Sequence, residues 1–145
     1  MPPLHVIELA IEVSTWSPCR SKRGVVIFHN EDIIMTGCNS KPGAFACDGS
    51  EACKQTCRRE AVHAEQWALL GAGANNCRGA DMLHVKTVDG VLVPSGSPSC
   101  VECSKLALVC GIAGFWIFHD DGWRRYPVVE FHRLSLSFPL SYGVV

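Results

Sequence analysis

Two short segments carry side chains equipped for chemistry. His63 and Glu65 stand two positions apart in "HAE" (63–65), near the start of the largely apolar run "RREAVHAEQWALLGAG" (58–73), and Cys100 and Cys103 stand three apart in "SPSCVEC" (97–103). Residues i and i+3 share one face of a helix, and at a first turn the dipole and free N–H groups favour thiolates over thiols. Two thiolates and an imidazole make three protein ligands for zinc. Three ligands leave the fourth tetrahedral position open, as in catalytic rather than structural sites. Glu65 cannot share the His63 face in mid-helix, because two residues turn a helix by about 200°. From a first turn, however, a flexible carboxylate can reach back to a water at the metal, take its proton and pass it to a leaving group. Each half alone has a plainer explanation: a capping or core histidine, and a redox pair or two packed thiols. In this order, each heading a helix with a strand between them, they point to catalytic zinc.

The surrounding pattern supplies the elements that would hold these residues. Residues 4–15 place Val6, Leu9, Ala10 and Val13 at helical spacing, and "GVVIFHN" and "DIIMTGC" around Asn30-Glu31-Asp32 read as strand, tight turn, strand. Residues 39–59 are polar and rich in Gly and Cys without periodicity, which predicts a long loop that something must pin. Then follow a helix over 61–71, a buried strand over 81–88, a helix over 101–109 closed by Gly111, and a strand over 112–118. This alternation argues for an α/β sheet covered on both faces, with ligands bound where helices begin. No repeat or linker divides residues 1–145, so one domain is expected, and residues 134–145 carry no pattern that assigns them a structure.

Composition narrows the partners. A 48% hydrophobic, 19% charged chain of 145 residues can bury a core of its own and is not a disordered type. A net charge of −1 gives no global attraction to polyanions. The local clusters of Arg20, Lys22, Arg23, Arg58, Arg59, Arg124 and Arg125 suit a phosphate or two, or are solvated surface. No apolar run is long enough for a membrane span, and "MPPLHVIELAIEV" lacks the marks of an export leader, so a cytoplasmic location is expected. In that compartment nine cysteines argue for metal binding rather than disulfides.

An H-x-E followed by a Pro-rich C-x-x-C is the signature of zinc nucleobase deaminases. The segment 17–65, with its basic stretch before the first strand and its Gly37-Cys38-Asn39-Ser40-Lys41-Pro42 loop, resembles the deoxycytidylate branch of the cytidine deaminase superfamily. The resemblance runs in order over roughly residues 4–118. It implies a three-layer α/β/α cytidine-deaminase-like fold with a mixed central sheet of about five strands. The activity implied is zinc-dependent hydrolytic deamination of a cytosine nucleotide, dCMP or a modified dCMP. His63, Cys100 and Cys103 would hold the catalytic zinc and Glu65 would shuttle protons. Asn39 would meet the sugar or phosphate, although Asn and Pro also simply favour turns. Ala64, Trp67, Ser99 and Arg124 would complete the pocket around a small-molecule nucleotide. Cys47, Cys53 and Cys57, with Cys19 as fourth ligand, would hold a second, structural zinc that clamps residues 39–59, unless some of them are ordinary buried thiols. Cys38, Cys77 and Cys110 read as packing residues, and the resemblance implies a homo-oligomer.

Three departures from that branch matter. Trp67 stands where the family has an asparagine that reaches the sugar, so it either stacks on substrate or is core. Ser99 stands where the family has a proline directly before the first zinc cysteine. Only "HDDGWRR" (119–125) separates "FWIF" from "YPVVEFHRL", too little for a parallel crossover, so the fifth strand should return antiparallel or lie elsewhere. That ending resembles the free-nucleoside deaminases. The same chemistry on a free nucleoside, a purine base or an adenosine in RNA therefore stays open, although near-neutral charge weighs against a polynucleotide. A non-catalytic zinc module of the same fold is a further alternative, but it would have no need of Glu65.

Overall fold

The structure is a computed structural model that describes residues 1–43, 48–96 and 100–137. The chain opens with helix α1 (Leu4–Thr15) and the hairpin β1 (Lys22–His29) and β2 (Asp32–Cys38), turned by Asn30 in the left-handed region at φ 56°. Helices α2 (Glu51–Glu60), α3 (Ala64–Ala72) and the short α4 (Ala74–Cys77) follow. Strand β3 (Asp81–Val88), the small strand β4 (Val91–Val93), helix α5 (Val101–Val109), strands β5 (Gly114–His119) and β6 (Gly122–Pro127), and helix α6 (Val128–Ser137) complete it. The main path of the sheet is β2-β1-β3-β5-β6, with β4 pairing alongside β3. Only β3 and β5 run parallel; every other pair among the described strands is antiparallel.

Side-chain alternation on the central strands sorts the core into two layers. Val25 and Ile27 of β1 pack with Ala64, Ala68 and Leu69 of α3, Ala107 of α5 and Phe131 of α6. Val26 and Phe28, with Leu83 and Val85 of β3, meet Val6, Ile7 and Ala10 of α1 on the opposite face. The result is a three-layer α/β/α sandwich around a mixed sheet. Two glycines let the helices approach closely. A Cβ on Gly24 would stand 2.3 Å from the Ala10 carbonyl oxygen, and one on Gly37 would stand 2.5 Å from that of Ala64. The first turn of α3 is therefore laid directly on β2, with no side chain between.

Two expectations need correction. Residues 39–59 do not form one long loop, because α2 occupies Glu51–Glu60, started by Ser50, whose Oγ accepts from the Cys53 N–H at 3.0 Å. That helix is almost wholly polar, so it shows no apolar period. The last strand also lies earlier than expected. Gly122, at φ 118°, turns the chain directly after His119, and "GWRRYP" pairs antiparallel with β5 from His119↔Gly122 to Gly114↔Pro127. "VVEFHRLSLS" then forms α6 rather than a strand, burying Phe131 and Ser135 against the sheet, with the Phe131 ring stacked on Phe115 at 4.2 Å. The antiparallel return itself is as expected, for the stated reason that the connection is too short to cross over. Of the tail 134–145, residues up to 137 belong to α6 and 138–145 lie outside the described residues. No helix among the described residues is long and apolar enough to cross a membrane.

Candidate active site

The site is built from two helix starts that lie on the same face of the sheet. Ahead of α3, Val62 and Ser40 pair through both backbone groups, at 2.9 and 3.1 Å, which fixes the chain's entry into the helix. His63 is the N-cap in extended conformation, and its N–H donates to Gln66 Oε1 at 3.0 Å. Cys100 is the N-cap of α5 and accepts at its carbonyl from the Cys103 N–H at 2.9 Å, which closes the first turn. His63 Nδ1 stands 3.1 Å from Cys103 Sγ, and the ligand atoms of His63, Cys100 and Cys103 all lie within 4.8 Å of one another. Ligands at about 2.0–2.3 Å from a tetrahedral zinc ion stand about 3.5–3.8 Å apart, so one imidazole nitrogen and two sulfurs at this spacing fit that ion in number, type and distance. Among the described residues this is the group of three that converges in this way. Hydrogen bonds from Cys103 and His63 bring the Cys100 thiol down to about 4, whereas donating to Cys100, together with burial, pushes Cys103 up. One sulfur is thus already a thiolate at neutral pH.

Glu65 follows in the first turn of α3 and is only 4% exposed. Its Oε1 lies 3.6 Å from Nε2 of His84, which is 6% exposed and rises from the middle of β3. Burial by itself would raise the Glu65 pKa, but the neighbouring His84 and His63, a bond from Cys103 and the charge of Arg23 together hold it below the ordinary carboxylate range. Burial brings His84 down to about 4 against the pull of Glu65. Both shifts leave the same state at neutral pH: an ionised Glu65 beside an uncharged His84. Nδ1 of His84 is buried with no hydrogen-bond partner among the described residues. His84 was not among the candidate residues, although one signal was present, a lone ionisable side chain inside the buried strand "DMLHVKTV".

The remaining candidates are placed as follows. Asn39 is buried and its amide is engaged within the protein: Oδ1 accepts from the Arg23 N–H at 2.9 Å and Nδ2 donates to the Ser21 carbonyl at 2.6 Å. Trp67 is half-buried, and its Nε1 donates to the Ser40 carbonyl at 3.3 Å, so its single donor braces the loop after β2. The Ala64 methyl is in the core. Arg124 is exposed; its guanidinium lies 4.6 Å over the Tyr126 ring and 3.7 Å from Glu130. It stands in register with Ile117, which pairs with His84, so it shares the active-site face but lies two strands away, at a cleft of about 290 Å³ shared with His119 and Leu134. Ser99 and Cys47 lie outside the described residues. Of the expected four-cysteine site, Cys53 and Cys57 face each other across one turn of α2 at 3.9 Å, and Cys19 is buried with its Sγ 3.6 Å from the Asn39 carbonyl. Cys77 is fully buried, and Cys110 packs against the same core.

The order of this mixed sheet and the helices on its two faces give the chain the cytidine-deaminase fold. Among solved structures it is similar to the dCMP deaminase of cyanophage S-TIM5 in apo form, with a TM-score of 0.55 and 22% identity over 77% of each chain. The same phage enzyme in complex with dCMP and dUMP matches with a TM-score of 0.53 and 20% identity, over 79% of this chain and 82% of that one. Cytidine deaminase from Burkholderia pseudomallei matches with a TM-score of 0.58 and 18% identity, over 90% of this chain and 96% of that one. No protein-family model and no curated protein matches the chain by sequence.

Proposed function

We propose that this protein is a zinc-dependent hydrolytic deaminase that converts a cytosine nucleotide, dCMP or a modified dCMP, to the uracil nucleotide and ammonia. The observation that carries this reading is the buried Glu65 set in the same helix turn as His63, beside the converging sulfurs of Cys100 and Cys103. A structural metal site has no use for a buried ionised carboxylate at its edge, whereas a hydrolytic one requires a proton carrier there. The dCMP and dUMP complex of the similar phage enzyme supports a nucleotide as substrate.

Zinc held by His63, Cys100 and Cys103 would supply Lewis acidity that makes water a nucleophile at neutral pH. The work of the chain's own residues follows from their placement. Glu65 takes a proton from the water whose oxygen bonds to C4 of the pyrimidine and delivers it to N3. It then carries the proton of the new hydroxyl to the amino nitrogen, so that the C4–N bond breaks and ammonia leaves. Burial serves this role by keeping bulk water from competing for the proton. Trp67, tied to Ser40, shapes the wall of the pocket beside the backbone of Ala64. Cys53 and Cys57, with Cys19 and Cys47, would hold a second zinc of structural type, which would fasten α2. The enzyme works in the cytoplasm as a homo-oligomer, which would cover the exposed Leu70, Leu106, Val109, Val129 and Leu136 of α3, α5 and α6.

A second reading, a free cytidine-type nucleoside as substrate, is favoured by the antiparallel β5–β6 return and by the fuller overlay on the Burkholderia cytidine deaminase. The reaction itself is tested with Glu65→Gln. Zinc content should stay at the wild-type level while ammonia release falls by roughly 10²- to 10⁴-fold. A fully active variant would rule the mechanism out.

A further inference from the structure

On the active-site face of the sheet, one step along the strands from the Val25↔His84 pair, Arg23 stands directly opposite Lys86. Residues two apart on a strand point to the same side, so both long cations project toward the face that carries Glu65 and the two helix starts. The distance along the strands is about 7 Å from the His84 row, and the two side chains can extend further. Like charges directly opposite each other in an antiparallel pair are destabilising, and neither residue forms an ion pair among the described residues. The Arg23 guanidinium is nevertheless fixed in place. Its backbone N–H is held by Asn39 and its Nε by Ser21 Oγ at 3.1 Å, which leaves both terminal nitrogens without a hydrogen-bond partner among the described residues. Burial lowers its pKa, and it is near enough to Glu65 and His63 for their charges to affect one another. Such a cation, partly stripped of water and turned toward the reacting groups, is stabilised when an anion meets it. Lys22, by contrast, donates to the Ser17 carbonyl.

We propose that Arg23 and Lys86 form the subsite for the phosphate of the substrate, the arginine as a two-pronged donor and the lysine as a point charge, with Asn39 as the residue that positions Arg23. The proposal rests on the nucleotide reading given above. It assigns the preference for a monophosphate over a free nucleoside to two strand residues rather than to the exposed Arg124, which is engaged with Tyr126 and Glu130.

Binding separates this proposal from the catalytic one. Zinc-loaded protein, titrated calorimetrically, should bind dUMP about tenfold or more tightly than deoxyuridine. Lys86→Gln and Arg23→Gln should each remove most of that preference and leave deoxyuridine affinity unchanged. Variants that keep the full preference, or a wild-type protein with none, would overturn the assignment. Inorganic phosphate, added to the unmodified zinc-loaded protein, should shift the backbone amide resonances of Arg23 and Lys86. No shift at either residue overturns the subsite even if a variant fails to fold or if neither pyrimidine binds. If phosphate shifts both residues while no cytosine compound releases ammonia, the deaminase reading fails and the anion site stands.

Discussion

His84 is the residue whose placement most needs a physical account, because a buried imidazole with an unpartnered Nδ1 is an expensive choice for a strand core. Its folded pKa of about 4 lies below the ordinary value of 6.5, so the folded state resists a proton that the unfolded chain accepts. The linked destabilisation is absent above about pH 6.5, grows as pH falls, and levels off below about 4, reaching at most roughly 3 kcal/mol. Urea unfolding of zinc-saturated protein at pH 5 and pH 7 should show wild-type stability falling more between the two than that of His84→Gln. Equal losses would mean that His84 takes up its proton as readily in the folded protein as in the unfolded chain. At this scale the sequence was most legible where residue type and spacing match what a metal would require: His63, Glu65, Cys100 and Cys103 came from two motifs of three and seven residues. His84 was not legible in that way. Its partnership with Glu65 spans 19 residues of sequence and depends on α3, laid across β2 and β1, bringing its first turn to the face of the sheet from which His84 of β3 rises.

At the scale of elements, the close approach of α3 to β2 sets the aim of the site. A Cβ on Gly37 would meet the Ala64 carbonyl at 2.5 Å and the Ala68 nitrogen at 2.7 Å, both of them backbone atoms that cannot turn aside. Gly37→Ala should therefore cost about 1–3 kcal/mol in chemical denaturation and also weaken zinc binding, because the helix that begins at His63 must lift. An alanine variant with wild-type stability and zinc affinity would show that α3 tolerates the shift. The elements that sequence reasoning located well, α1, the first hairpin, α3, β3 and α5, owe this to apolar periodicity or to a turn and cap at their ends. Helix α2 escaped because its stability comes from the Ser50 cap and local polar contacts, which leave no apolar stripe. Strand β6 escaped because "GWRRYP" is too charged to read as buried, its Arg125 being held instead by Asp81 at 2.8 Å at the edge of the sheet. That left the apolar "YPVVEF" as the more strand-like candidate.

For the molecule as a whole, a zinc ion on His63, Cys100 and Cys103 would tie the starts of α3 and α5, two helices that also pack on each other, and its loss should be felt throughout. Zinc that binds the folded chain and not the unfolded one adds to stability by mass action, so removal by chelation should lower the melting temperature by roughly 5–10 °C for a domain of this size. An unchanged melting temperature after verified metal removal would separate the metal from the fold. The α/β alternation and the convergence of His63, Cys100 and Cys103 were legible at this scale, whereas the substrate was not. In the proposed subsite its recognition would rest on residues far apart in sequence, Arg23 and Lys86, that only the register of β1 against β3 makes neighbours. The most direct test is ammonia release by the zinc-loaded protein from dCMP, CMP, dCTP, deoxycytidine, adenosine and guanine, side by side. The expected result is rapid release from dCMP, slower release from deoxycytidine, and none from the purines. Ammonia from none of the six, with zinc verified in the protein, would contradict the assignment as a deaminase of cytosine nucleotides.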